Sequence, residues 1–149
     1  MIPPAQSLRT THSKLLIPLA EEHVSAGFPS PADDYIDKCI DLNEELICHP
    51  TSTFFLRVKG ESMSNAGVLN GDLLIVDRSL DPQPGQLVVA ILDGSFTLKR
   101  LTYRENTSYL EAEHPNYPTI DLRNYQNVQI WGVAIYSIHS LRGRSIRQS

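Results

Sequence analysis

Gln86-Leu87-Val88-Val89-Ala90-Ile91-Leu92-Asp93-Gly94-Ser95-Phe96-Thr97-Leu98-Lys99-Arg100-Leu101 reads as two apolar runs joined by an Asp-Gly pair. Both turn residues tolerate positive φ, which a tight hairpin needs for its twist to match that of its strands. An antiparallel sheet is therefore the first expectation. Upstream, Phe54-Phe55-Leu56-Arg57-Val58 is a strand that stops at Lys59-Gly60. Asn70-Gly71 is a turn, and Asp72-Leu73-Leu74-Ile75-Val76-Asp77 is a continuous apolar strand after it. Asp81-Pro82-Gln83-Pro84-Gly85 makes a further turn ahead of the hairpin. Downstream, strands are expected near Ser108 to Glu111 and Thr119 to Leu122, with a long last one from Val128 to Ile138. Short strands separated by turns predict a mainly β protein, an antiparallel β-sandwich or partly open barrel.

The N-terminal part has a different texture. Residues 1–29 carry Pro3, Pro4, Pro18, Gly27 and Pro29 and no sustained period, so they read as an extended arm. Ser30 then offers an N-cap, Pro31 a first helical position, and Asp33 and Asp34 an acidic first turn. A short helix within 31–47 is predicted, ended by His49-Pro50. Arg142, Arg144 and Arg147 make residues 142–149 a basic tail. The expected division is an arm over 1–29, a β-rich domain over 30–141 and the tail.

At 149 residues and 41% hydrophobic, the chain can bury the core of one domain. A formal charge of −4 gives no global basic footprint for direct, sequence-specific DNA binding. Cys39 and Cys48 form no CxxC, and with scattered histidines they provide no metal-ligand spacing; no cofactor is called for. Two unremarkable thiols suit a reduced, cytoplasmic chain. Leu15-Leu16-Ile17-Pro18-Leu19-Ala20 is short for a signal peptide, contains proline, and is followed by Glu21 and Glu22. No run approaches the roughly 20 apolar residues of a membrane span.

Candidate chemistry gathers on two side chains. Ser62, two residues beyond Gly60, stands where a strand ends and the backbone turns. Lys99 lies within an apolar strand with Thr97 and Leu101 on its face and no acid near it in sequence. A serine hydroxyl is a poor nucleophile until a base takes its proton, and a free lysine is charged at neutral pH. Bringing its pKa near neutrality costs about 4 kcal/mol of disfavoured charge, which burial without a carboxylate partner can supply. The amides of Glu61 and Ser62, on the turn after Gly60, are candidates for an oxyanion hole. The bland alternative is a lysine that guards a strand edge or snorkels to solvent. A rival triad from His114 or His139 with Asp72 or Asp121 has no motif behind it, and structural histidines are expected.

The sequence resembles the LexA/UmuD group of self-cleaving proteins, the UmuD branch most closely. The resemblance runs from about Ala26 to Leu141. It rests on Ala26-Gly27-Phe28-Pro29-Ser30-Pro31-Ala32, Asp41-Leu42-Asn43, Gly60-Glu61-Ser62-Met63, Asn70-Gly71-Asp72-Leu73-Leu74-Ile75-Val76-Asp77, Asp93-Gly94 and Phe96-Thr97-Leu98-Lys99-Arg100-Leu101. It implies a fold like the LexA C-terminal domain, Ser62 as nucleophile, Lys99 as general base, and a scissile bond between Ala26 and Gly27. It further implies stimulation by a RecA–single-stranded DNA filament. The shortened product is then a homodimer that works with a Y-family, UmuC-like translesion polymerase subunit in the SOS response to DNA damage. Ala26 follows the LexA-type repressors, where a UmuD relative carries cysteine; both residues are small.

Two further readings are weighed. A repressor needs a DNA-binding domain, and the residues before Gly27 carry no helix-turn-helix pattern. A signal peptidase shares Ser-Lys chemistry but needs a membrane anchor. The remaining alternative is a non-catalytic dimeric β-rich module that docks on a polymerase or repressor partner.

Overall fold

The computed structural model describes residues 13–20, 23–27 and 36–143. The chain divides into two compact units, Met1–Thr51 and Ser52–Ser149.

In the first unit, strand β1 (Leu16–Ala20) pairs antiparallel with β2 (Ile36–Asp41), and α1 (Leu42–Leu46) follows directly. The register sets Leu16 against Asp41 and Pro18 against Cys39. Asp41 joins the three pieces. Its Oδ1 accepts the Asn43 amide at 2.9 Å as the N-cap of α1, and its Oδ2 accepts the Leu15 amide at 3.3 Å. Lys14 adds an exposed ion pair to Glu44 at 2.9 Å.

A short helix lies within the expected 31–47, at Leu42–Leu46, but starts later than the capping signals suggest, because Ile36–Asp41 is a strand paired with Leu16–Ala20 of the arm. Ser30 and Pro31, the expected helix start, lie outside the described residues, as does most of the 142–149 tail. Capping signals act locally, whereas pairing with β1 satisfies the β2 backbone from a distant part of the chain. The helix begins only where Asp41 ends that pairing.

The second unit is one seven-stranded antiparallel sheet in the order β3-β4-β9-β5-β6-β7-β8. Its strands are β3 (Thr53–Arg57), β4 (Leu73–Asp77), β5 (Leu87–Leu92), β6 (Ser95–Arg104), β7 (Thr107–Glu111), β8 (Ile120–Asp121) and β9 (Val128–Ile138). The sheet does not close; β3 and β8 are its edges. The mainly β, antiparallel architecture expected from the LexA C-terminal-domain likeness is present. The hairpin turn sits at Asp93 (φ 48°) and Gly94 (φ 86°). The last strand, β9, takes a central place, pairing with β4 on one side and β5 on the other. Register shifts fall between Ile75 and Val76 and between Val89 and Ala90, bending the sheet where β9 crosses from one partner to the other. Gly132 lies at that crossing. A Cβ there would stand 2.6 Å from Val76 Cγ1, so only glycine fits.

The core of this unit is built on Val88, Ala90, Leu110 and Val133, with Leu92, Leu101, Ile130 and Ile135 packed around it. Paired residues across a sheet share a face. Lys99 pairs with Val88, and Val88 with Val133, so the lysine stem starts from the apolar side.

Candidate active site

The local chain explains how Ser62 is presented. β3 ends at Arg57, and the Val58 amide donates to Asp72 O while Gly71 donates back to Val58 O. Gly60 then turns with φ 94°, and its amide donates to Asn70 Oδ1 at 2.9 Å. Beyond Ser62, the Ser64 amide donates to Glu61 O, Ala66 and Val68 donate to Met63 O, and the Met63 side chain is buried. The segment is held from both sides. Among the described residues the Glu61 and Ser62 amides donate to no backbone carbonyl, which leaves these N–H groups available to an incoming oxygen.

Lys99 Nζ lies 2.8 Å from Ser62 Oγ. The lysine is only 7% exposed. No ion pair to a carboxylate is found for it among the described residues. Arg100 takes Glu113, and Arg104 takes Glu111 at 2.6 Å. Burial holds the Lys99 amine below the ordinary lysine value. A buried amine, free of a counter-charge and within proton-transfer distance of a hydroxyl, can act as a base toward it.

Beside Ser62 opens a cleft of about 210 Å³, walled by Leu56 to Gly60 on one side and Phe96, Thr97 and Leu98 on the other. Met63, Leu74 and Val89 also line it, so apolar side chains share the wall with Arg57, Lys59, Ser62 and Thr97. Val24, Ser25, Ala26 and Gly27, around the bond expected to be cut, are all exposed. The Gly27 amide donates to Ser25 Oγ at 3.3 Å.

The rival histidines do other things. His139 Nδ1 meets Asp72 Oδ1 at 2.6 Å, but Ser137 donates its hydroxyl to the same carboxylate rather than to the imidazole. Asp72 thus gathers the Leu69 amide, Ser137 and His139 around one carboxylate, and no hydroxyl is bonded to the imidazole in the manner of a triad among the described residues. Burial pushes its carboxyl up, and bonds from the Leu69 amide, His139 and Ser137 outweigh that and hold it below the usual range. His114 packs edge-on against Tyr117, and Asp121 pairs with Arg123 at 2.6 Å. No group of His, Cys, Asp or Glu among the described residues could hold a metal ion. Both cysteines are free and exposed, and no described helix is long and apolar enough to cross a membrane.

Two neighbours of the pair were not anticipated. Asn70 was legible only as a turn residue, yet its side chain also fixes Gly60. Tyr117, in a loop without a periodic signal, sets its ring 5.7 Å from Lys99 Nζ.

The model for the Peptidase S24-like family matches residues 18–135. Among curated proteins the chain is 47% identical over 127 residues to Protein ImpA of Salmonella typhimurium, covering 84% of this chain and 85% of that one. It is 41% identical over 124 residues to Protein MucA of Escherichia coli, covering 82% and 84%. It is 39% identical over 113 residues to the LexA repressor of Shewanella oneidensis, covering 75% of this chain and 54% of that one. The likeness read from the Gly60-Glu61-Ser62-Met63 and Phe96-to-Leu101 motifs therefore holds over most of the chain: it belongs to the Peptidase S24-like family, with UmuD-like and LexA relatives.

Proposed function

We propose that this chain is a self-cleaving serine peptidase that removes its own N-terminal arm at Ala26–Gly27. One observation carries the proposal: the Lys99 amine, buried and with no carboxylate paired to it among the described residues, stands 2.8 Å from the Ser62 hydroxyl. Lys99 takes the hydroxyl proton as Ser62 Oγ attacks the Ala26 carbonyl carbon. The Glu61 and Ser62 amides hold the resulting oxyanion. The C–N bond then breaks, Lys99 returns the proton to the departing Gly27 amine, and an ester links Ser62 to Ala26. Water, deprotonated by the same amine, releases the acid and restores the hydroxyl.

A substrate supplied by the same chain suits so small a catalytic set. Well-oriented intramolecular reactions reach effective molarities of about 10⁵ M or more, so a modest dyad suffices. The resemblance to the LexA/UmuD group supplies the setting. A RecA–single-stranded DNA filament promotes the cut by favouring the conformation in which the arm is docked. The shortened homodimer serves an error-prone, UmuC-like polymerase subunit in the cytoplasmic SOS response. In this reading residues 1–29 are the arm, 30–141 the self-cleaving and dimerising domain, and 142–149 a basic tail.

The test is incubation of purified protein at rising pH, with and without the filament. The expected product begins at Gly27, forms faster at alkaline pH, and is absent in Ser62→Ala and Lys99→Ala. A wild-type chain that stays intact through long alkaline incubation would instead favour the non-catalytic docking module.

A further inference from the structure

The Lys99 amine has an aromatic neighbour. Lys99 Nζ stands over the Tyr117 ring, 5.7 Å from the centroid. Lys99 is almost wholly buried, whereas Tyr117 is 44% exposed. The ring therefore lies between the buried amine and solvent, with His114 packed against it.

Tyr117 is also held in place. The Asn65 amide, on the turn that follows Ser62, donates to Glu113 O at 3.0 Å. The Glu113 carboxylate pairs with Arg100, the residue after Lys99. The loop beyond Glu113 is thus tied to both halves of the Ser62–Lys99 pair. Within it, the Tyr117 amide donates to His114 O at 3.2 Å, the Asn116 amide to His114 Nδ1 at 3.1 Å, and the two rings meet at 5.3 Å and 83°.

We propose that Tyr117 is a positioning residue for the Ser62–Lys99 pair, its ring closing the solvent side of the amine and keeping water from it. This rests on the reading of Lys99 as general base given above. Two effects oppose each other. An aromatic face attracts a cation and so favours the charged amine, whereas shutting out water favours the neutral one. The ring lies near the outer limit of about 6 Å for such attraction, so exclusion of water wins. The other groups around the amine leave that balance alone. Ser62 faces it from the turn after β3 and apolar Val88 from β5. Glu113 and Glu111 are occupied by Arg100 and Arg104, His114 packs on the tyrosine, and Glu61 and Lys59 are exposed.

The test reads the amine directly. In the full chain carrying Ser62→Ala, acetylation of Lys99 by acetic anhydride is followed against pH by peptide mass mapping. The expectation is that Tyr117→Ala moves the midpoint up by about one pH unit, and that Tyr117→Phe, which keeps the ring, restores it. In chains with Ser62 intact, the pH of half-maximal self-cleavage moves the same way. A midpoint that stays put, or moves down because attraction for the cation dominates, overturns the proposal; so does a Phe variant that behaves like Ala. Labelling needs no cleavage, so a chain that never cuts itself sinks the proposed function while the midpoints still decide the role of Tyr117.

Discussion

Asn70 Oδ1 accepts the Gly60 amide at 2.9 Å, so the turn carrying Ser62 is braced by a side chain from the loop before β4. Gly60 sits at φ 94°, a conformation glycine adopts at little cost but which nothing local enforces. The brace restricts the turn to one setting. Asn70→Ala should lower the self-cleavage rate about tenfold, since small misplacements of a nucleophile are costly. It should lower stability by only about 1 kcal/mol, the usual net worth of one hydrogen bond. Single-turnover cleavage and urea unfolding of the same variant separate the two effects. A cleavage rate that stays at the wild-type value while stability falls would reduce Asn70 to a purely structural role.

Lys99 trades stability for its proposed chemistry. Its folded pKa lies below the ordinary 10.5 because of burial. Between the folded value and 10.5, the unfolded chain binds more protons than the folded one, so stability rises with pH across that window. Below the folded value both states are charged and the full penalty of burying the ammonium persists. Lys99→Met should therefore be more stable than wild type at neutral pH, on the order of 1–2 kcal/mol, and inactive. The difference should shrink as pH climbs toward 10.5. Urea midpoints along a pH series check the sign.

Asp72 has the opposite dependence. Its carboxyl is 1% exposed and its folded pKa lies below the ordinary 3.8. A depressed carboxylate contributes stability that is present above its unfolded value and is lost as pH falls through 3.8 toward the folded one. Asp72→Asn should unfold more easily at neutral pH, by about 1–3 kcal/mol, with the gap to wild type narrowing in acid. A gap independent of pH would mean that the loss comes from packing alone.

At Gly132 the prediction is steric. A methyl group there meets Val76 Cγ1 at 2.6 Å and Arg78 Cγ at 3.3 Å. Gly132→Ala should destabilise the fold by about 1–3 kcal/mol, the range for overpacking a filled interior. Val76→Ala in the same chain should return part of that loss, because it removes the colliding atom. Two losses that merely add would show that the crossing strands do not limit the site.

The proposed cut falls within the connection between β1 and β2, so it would turn a hairpin into two separate chains. β1 is poorly equipped to stay. All its residues are exposed, Pro18 lacks an amide to donate, and two-stranded sheets are marginal by themselves. A short tether gives an effective concentration in the millimolar range, so at micromolar protein the cut weakens β1–β2 pairing about a thousandfold. The released arm should separate on gel filtration, and amide exchange over Ile36–Asp41 should speed up. Arm and body that coelute would contradict this.

The chain's own order of residues was enough for the strands from β3 to β9, since turn residues and apolar runs are local signals. Asp93-Gly94 is an example: its backbone preference exists before any tertiary contact does. Ser62 and Lys99 were likewise legible, as chemistry-bearing types in suitable surroundings. Their pairing was expected from residue type and from the family resemblance; how the fold brings them to 2.8 Å, with β9 between β4 and β5 and the loop after β7 bonded to the turn beyond Ser62, was not. The N-terminal region shows the same limit in reverse. Strong capping signals near Ser30 suggested a helix, and pairing between segments far apart in the chain made Ile36–Asp41 a strand. Local preferences are worth tenths of a kcal/mol per residue, and long-range pairing overrides them. What only the folded molecule decides is which distant groups meet. The Asn70–Gly60 bond, the Tyr117–Lys99 contact and the Gly132 crossing all belong to that class.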